Sequence, residues 1–347
     1  KAYLLFCCQR APPDLATDMT YLVTGSSGHL GEALVRVLRQ SGEQVRSIDI
    51  KPGAFTDLVW SIADPTLVSD AMRGVRHVLH AATLHKPHVE THSRQDFIDT
   101  NISGTQTLLD AALREGVESF VFTSTTSTFG DALKPPPGEP AGWITEETVP
   151  QVKNIYGATK LAAEDLCMLA HRKDGLPVLV LKTSRFFPED QDDKATRTDF
   201  SRENAQVNEF LNRRVDIEDV VSAHLLAAQK APEIGFSKYI ITATAPFTQG
   251  DLAELRTAPG EVLKRYVDYE AIYQARGWQM QPEMDRVYVN TKARAELGWQ
   301  PKHNFADVLK RVASGGPILS DLAYAIGVKG YHDRVFRDGP YPVDEAC

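Results

Sequence analysis

Two periods alternate along the chain. Short, dense apolar runs recur at Tyr21-Leu22-Val23, Gln44 to Ile50, Val75 to Ala81, Glu118 to Thr123, Val178 to Thr183 and Tyr239 to Ala243, and they read as strands. Val75 to Ala81 is apolar enough for burial on both faces, as in a parallel sheet. Asp57 to Ile62 predicts one more short strand. Between the runs the period changes to that of amphipathic helices, over Glu32–Gln40, Asp64–Arg73, Asp99–Glu115 and Asn154–Arg172, and from Val220 to Lys230. Asp64 is placed to cap its helix with Pro65 in the first position, and Leu108, Leu109, Ala112 and Leu113 form one apolar face. Strand and helix alternate for roughly the first 185 residues, which predicts an α/β fold with a doubly wound parallel sheet. A proline- and glycine-rich stretch, Lys134 to Gly142, reads as a surface loop. Polar and acidic residues from Glu189 to Asn204 interrupt the alternation. From Pro246 onward short helices, loops and isolated strands follow, among them Val287-Tyr288-Val289 and Phe305 to Val312, and these must lie over the strand C-terminal ends. No internal repeat is visible.

Composition narrows the class. With 347 residues, 42% hydrophobic and 24% charged, the chain has the make-up of a soluble globular protein. A net charge of −8 argues against nucleic acid or an anionic membrane as partner, and no apolar run approaches the ~20 residues of a membrane span. Cys7, Cys8, Cys167 and Cys347 follow neither a disulfide nor a metal spacing, which favours a reducing, cytoplasmic setting. Residues 1–18, with one apolar run from Tyr3 to Cys8, read as a flexible extension, and Met19 as a possible natural start.

The candidate chemistry begins at Thr24-Gly25-Ser26-Ser27-Gly28-His29-Leu30-Gly31, a glycine turn between a strand and a helix. Glycines at those places let the backbone turn, approach a pyrophosphate and pack the helix closely, while the helix N-terminus offers N–H groups to phosphate. Asp49 ends the next strand, 24 residues beyond Gly25. A carboxylate there accepts ribose hydroxyls and repels a 2′-phosphate, favouring NAD over NADP, although Lys51 pulls the other way. His85, His88 and His92 invite a metal reading, but Pro87 interrupts any helix that would align them, so a solvated or substrate-facing loop is the better reading and no metal is expected. Strand five runs into Thr123-Ser124-Thr125-Thr126-Ser127-Thr128-Phe129-Gly130. Tyr156 and Lys160 are four apart on one helix face. A phenol is a poor base at neutral pH, and a neighbouring ammonium lowers its pKa and suits it to move the proton of a hydroxyl.

These pieces, with His80-Ala81-Ala82, Asn101, Arg214-Val215-x-Ile217-x-Asp219-Val220 and Asn290-Thr291-Lys292-Ala293-x-x-x-Leu297-Gly298-Trp299-x-Pro301, resemble the extended short-chain dehydrogenases/reductases of the NAD-dependent epimerase/dehydratase type, which include UDP-glucose 4-epimerases. The resemblance spans most of residues 20–312. It implies a Rossmann domain over 19–184, completed by 213–243, a smaller discontinuous substrate-binding part from 185–212 and 244–330, and a tail at 331–347. It implies NAD held by Gly25, Ser27, Gly28, His29, Leu30, Gly31, Asp49, Ile50, Ser61, Ile62, Ala81, Ala82, Thr83, Asn101, Thr123, Tyr156, Lys160, Thr183 and Ser184. Thr125 takes the catalytic hydroxyl position four before Phe129, where the family has tyrosine, with Ser124 the alternate if the register slips. Tyr156 and Lys160 complete the catalytic set, and His85, Ser124, Thr125, Thr126 and Arg185 face the substrate.

Three departures shape the expected activity. Thr126 and Ser127 replace the Asp-Glu of family dehydratases, and the glutamate that the family's decarboxylases use there is also missing, so both chemistries are disfavoured. Lys182-Thr183-Ser184-Arg185 replaces Arg-x-x-Asn, leaving Arg185 to meet a carboxylate or phosphate, or to form a structural ion pair. About thirty residues separate strand six from Arg214, short for a nucleotide-sugar pocket. The expected function is an NAD-dependent epimerase or oxidoreductase acting on a secondary alcohol of a sugar or nucleotide-sugar. The alternative is a net dehydrogenase or reductase of a small non-nucleotide alcohol or carbonyl, and a third reading is a non-catalytic NAD sensor. The resembled family also implies a homodimer through a four-helix bundle.

Overall fold

The computed structural model of the chain describes residues 19–189 and 194–330, together with Phe336. The expected flexible extension 1–18 lies outside these residues, as does the expected tail 331–347 apart from Phe336. The chain begins with β1 (Met19–Thr24), α1 (His29–Gln40), β2 (Val45–Asp49), β3 (Leu58–Val59), α2 (Pro65–Met72) and β4 (Val75–His80). A helical turn α3 (Arg94–Phe97) passes through a π-turn, Ile98–Ser103, into α4 (Gly104–Glu115), followed by β5 (Ser119–Thr125), β6 (Gly142–Ile144), α5 (Ile155–Asp174) and β7 (Val178–Thr183). Then come α6 (Lys194–Asp199), α7 (Arg202–Glu209), α8 (Ile217–Ile234), β8 (Phe236–Ile241), α9 (Leu252–Leu255), α10 (Pro259–Leu263), α11 (Glu270–Arg276), β9 (Arg286–Tyr288), α12 (Phe305–Ala313) and α13 (Asp321–Ile326).

Local chemistry places these elements. Asp64 accepts from the backbone N–H of Thr66 at 2.9 Å and of Leu67 at 3.0 Å, as its position before Pro65 predicts. Asn154 caps α5 through Gly157 N–H at 3.0 Å, and α5 ends at Gly175, whose φ of +78° only glycine takes without strain. Seven strands form one parallel sheet in the order β3-β2-β1-β4-β5-β7-β8. The order reverses between β1 and β4, which opens a crevice at their C-terminal ends. Helices α2, α4 and α5 bury Met72, Leu108, Leu109 and Ala163 against one face of the sheet. The other face carries α1 and α8, and its core runs on without a break into Leu263, Trp299 and Phe305 of the C-terminal part.

The late motif closes onto α8. Asp219 accepts from Lys302 N–H at 2.8 Å and His303 N–H at 3.0 Å, while the Trp299 indole donates to Ser222 Oγ at 3.0 Å. Burial pushes the Asp219 carboxyl up to about 6 against the pull of those N–H groups and of His303. Two sequence motifs 80 residues apart are therefore one latch.

Three predicted elements shift. Strand five extends two residues further, to Thr125, and the last sheet strand starts earlier, at Phe236. The loop through Gly142 ends in β6, which pairs with β9 in a separate two-stranded parallel sheet. Three residues whose partner lies far downstream carry no local signal. The polar stretch after Glu189 enters α6 and α7, where Ser201 caps α7 through Asn204 N–H.

Candidate functional site

The glycine turn is built by close approach. Gly25 has φ +77°, and a Cβ there would sit 2.7 Å from Ala82 N; a Cβ on Gly31 would sit 2.0 Å from Gly25 O. Asp49 is held at the turn, its carboxylate accepting from Ser27 N–H at 3.0 Å and Lys51 N–H at 2.8 Å. Ser27 Oγ donates to Lys51 O at 2.7 Å, so Lys51 serves the turn through its carbonyl. Ile50 is 64% exposed beside Asp49 and Ser61 is exposed after β3, whereas Ile62 is buried under Gly104 and has only its backbone to offer. This cradle fits a dinucleotide: a backbone that admits no side chains, a helix N-terminus at Gly28-His29-Leu30, and a carboxylate pointed at the turn.

The floor of the crevice is fixed by neutral hydrogen bonds. His80 is fully buried, with Nδ1 2.8 Å from Thr24 Oγ1 and Nε2 3.0 Å from Thr105 Oγ1. Thr105 Oγ1 donates to Asn101 O, so it accepts from Nε2–H, and Thr24 in turn donates to Nδ1. Burial, followed by the charge of Lys160, holds His80 well below its ordinary value and keeps it neutral. Asn101 was expected at the cofactor. Its side chain instead clamps Leu84 N–H at 2.8 Å and Leu84 O at 2.9 Å and donates to Thr159 Oγ1 at 3.0 Å, so it shapes the Ala81-Ala82-Thr83 wall from behind. Thr83 Oγ1 is turned to the same clamp, toward Asn101 Oδ1.

At the end of β5 strand alternation sorts the hydroxyl run. Thr123 Oγ1 donates to His224 Nε2 at 2.8 Å on the α8 side, and its carbonyl receives Lys160 Nζ at 2.7 Å. His224 is fully buried, its pKa lowered to about 4, and its Nδ1–H is used on Val220 O. Ser124 faces the opposite way and donates to Glu164 at 2.5 Å, which removes it from the substrate side. Thr125 closes the strand next to the Tyr156 phenol and caps the following turn by accepting from Ser127 N–H at 3.1 Å. Thr126 is buried beneath Thr183 rather than open to a substrate. Thr183 and Ser184 spend their hydroxyls on Ser124 O and Thr242 Oγ1, leaving backbone atoms for any cofactor contact.

Tyr156 and Lys160 share a face of α5, but the lysine does not lower the phenol. Burial pushes Tyr156 up to about 12, with the Thr125 hydroxyl drawing it down. Burial also brings Lys160 down to about 7, where Nζ sits 3.9 Å over the Phe122 ring as well as on Thr123 O. His85 does reach the tyrosine: its ring centroid is 6.4 Å from that of Tyr156 and 5.7 Å from that of Phe187. His88 meets His85 edge to face, and among the described residues no group of three or more His, Cys, Asp or Glu could hold a metal ion. Arg185 is engaged structurally, its guanidinium donating to Glu189 O at 3.1 Å and lying 3.8 Å from Glu209, which also pairs with Arg214 at 2.8 Å.

Sequence reasoning missed the buried charges under this site. Glu164, on the face of Tyr156 and Lys160 and one turn further on, pairs with Lys182 at 2.6 Å and Lys238 at 3.0 Å. Lys182 also donates to Thr128 Oγ1 at 2.8 Å, and Thr128 to Thr125 O at 2.8 Å. Helical spacing from Lys160 was the available signal for Glu164. For the pairing of His29 with Glu189 at 2.6 Å there was none.

The model of the NAD dependent epimerase/dehydratase family matches residues 21–239. A dTDP-glucose 4,6-dehydratase of Streptomyces niveus is 29% identical over 84% of this chain and 90% of its own length. A UDP-glucose 4-epimerase of Lactobacillus helveticus is 25% identical over 83% of this chain and 94% of its own. Among solved structures, a short-chain dehydrogenase/reductase superfamily protein of Agrobacterium tumefaciens with bound NAD has a TM-score of 0.60 and 24% identity, covering 85% of this chain and 96% of that one. With the family match running from the glycine turn through Tyr156 and Lys160 to β8, the chain belongs to the NAD-dependent epimerase/dehydratase family, enzymes whose cofactor is NAD.

Proposed function

We propose that the protein is an NAD-dependent epimerase or oxidoreductase that acts on a secondary alcohol of a sugar or nucleotide-sugar. The observation that carries this is the Tyr156 phenol beside the Thr125 hydroxyl, with Lys160 one turn along the same helix. When bound, NAD supplies the hydride acceptor and a positive ring. Thr125 holds the substrate oxygen, and Tyr156 takes or returns its proton. Its burial keeps Tyr156 a phenol at neutral pH, so it is the proton donor when a carbonyl is reduced and loses its own proton only as positive charge gathers nearby. Lys160, fixed on Thr123 O, orients the ribose. Thr126 and Ser127 carry no group that titrates usefully, which supports hydride transfer over dehydration or decarboxylation despite the resemblance to a protein named dTDP-glucose 4,6-dehydratase. Tyr156→Phe should lower turnover at least about 10²-fold while leaving NAD affinity near that of the parent. Unchanged turnover in a sugar, nucleotide-sugar and alcohol screen would sink the assignment.

A second reading, net oxidation or reduction of a smaller alcohol or carbonyl, is favoured by the crossover after β7, where Arg185, Arg213 and Arg214 share Glu209 instead of being kept for a substrate diphosphate. Stoichiometric NADH release marks this reading, and product without net NADH marks the epimerase. A homodimer built on α4 and α5 is part of the proposal, supported by Leu169 of α5, which is 51% exposed. Sedimentation at micromolar concentration should give twice the 38.4 kDa chain mass.

A further inference from the structure

The dinucleotide cradle uses the backbone of His29 and leaves its ring unexplained. That ring is buried, with Nε2 2.6 Å from Glu189 Oε1, and the two side chains are 3% and 2% exposed. Glu189 lies on the crossover that leaves β7. Just before it, Phe187 places its ring 5.3 Å from that of His29 and 5.7 Å from that of His85, which in turn neighbours Tyr156. Other charged groups converge here. Lys329 N–H donates to Glu189 Oε1 at 3.2 Å, and Lys329 Nζ pairs with Glu32, which also takes Arg36 at 2.7 Å. Burial raises the Glu189 carboxyl, but the hydrogen bond and charge of His29 outweigh it and hold the group below its ordinary value.

The electrostatics of this arrangement are demanding. A buried carboxylate stands 2.6 Å from the ring of the first helical residue after Gly28, where a pyrophosphate is to be received. Alone it would repel the cofactor, and the low-dielectric surroundings would strengthen that repulsion. We propose that His29 is a positioning residue for NAD: it neutralises Glu189 at the pyrophosphate turn and so ties the substrate-side crossover to the cofactor. Glu189 also lines a cavity of about 330 Å³ with Arg197, Phe200, Arg202, Ala205 and Gln206, so the pair joins the cofactor turn to the 185–212 segment. This assignment does not depend on which alcohol reacts.

The test separates neutralisation from simple bracing. NAD affinity is measured by calorimetry, with thermal unfolding in parallel, for His29→Gln, Glu189→Gln and the double variant. His29→Gln should weaken NAD at least about tenfold, because it removes the charge that meets the carboxylate on the side of the turn. Glu189→Gln should stay within about threefold of the parent, and the double variant should return to that range. Equal losses for the two single variants would mean a mere strut and overturn the proposal, as would unchanged affinity for His29→Gln or a double variant no better than it. If His29→Gln does not fold, Glu189→Gln decides alone: retained or tighter binding supports the assignment, and a tenfold loss overturns it. No readout requires turnover, so failure here is distinct from failure of the Tyr156 assignment.

Discussion

Between β1 and β4 the crevice is walled by backbone, and between β5 and β7 by buried charge. In the first half Gly25, Gly31 and Ala82 touch through main-chain atoms, and the carboxylate of Asp49 is positioned by N–H groups. In the second half Glu164, Lys182 and Lys238 lie beneath the β5 strand end, holding Ser124 directly and Thr125 through Thr128. The two constructions should fail differently. A backbone cradle loses its ligand when a side chain is added, while an ion cluster loses its fold when one member is removed.

The largest effect is expected at Glu164. Glu164→Gln leaves Lys182, 3% exposed, with no full counter-charge, and should cost roughly 3–5 kcal/mol of stability, read from urea midpoints. Glu164→Leu combined with Lys182→Met removes both buried charges and should recover much of that loss; if the double change is as damaging as the single, the cluster acts by shape rather than charge.

Gly31→Ala probes the other half. The added Cβ would meet Gly25 O at 2.0 Å, so main chain has to move. The cost in stability should be smaller, about 1–3 kcal/mol, whereas NAD affinity should fall at least about tenfold because the turn no longer presents its N–H groups in register. A variant that binds NAD normally would show that the turn tolerates what its geometry forbids.

Lys160 stands where the halves meet, and its effect is graded by pH. Burial lowers it to about 7 in the fold, against an ordinary value of 10.5 in the unfolded chain. Between those values the unfolded chain holds a proton that the folded one lacks, so stability rises with pH across that window and carries the full penalty below pH 7. Lys160→Met should remove a slope of at most about 1.4 kcal/mol per pH unit, leaving the contribution of Lys182, which burial also lowers. Parallel stability curves for parent and variant from pH 7 to 9 would mean that Lys160 keeps its proton.

The same division explains what was legible in the sequence. The glycine turn, the acid-ended strand and the Tyr156–Lys160 spacing are local patterns, and backbone geometry imposes them within a few residues. Only the strand separates Ser124, drawn to Glu164 across the sheet face, from Thr125, which lies next to the Tyr156 phenol. Arg185 was open to an anionic substrate or a structural ion pair alike, because its partner Glu209 stands 24 residues away with no pattern to connect them. The pairing of His29 with Glu189 and that of β6 with β9 were invisible for the same reason: each joins stretches that only tertiary packing brings together.

The smallest expected effect supplies the control. Arg76 and Glu118 pair in bidentate geometry at 2.8 and 3.0 Å, at the N-terminal edge of the sheet far from the crevice. The guanidinium hydrogen bond holds the Glu118 carboxyl below its ordinary value. Its geometry is as good as that of Glu164 with Lys182, but the side chains are 54% and 46% exposed, so water already solvates both charges. Glu118→Gln should therefore cost less than about 1 kcal/mol, and less still in high salt. If the exposed pair cost as much as the buried one, burial would not be what makes the β5–β7 half fragile. The contrast with the backbone-built half would then have to rest on charge-assisted hydrogen bonding, which both pairs make.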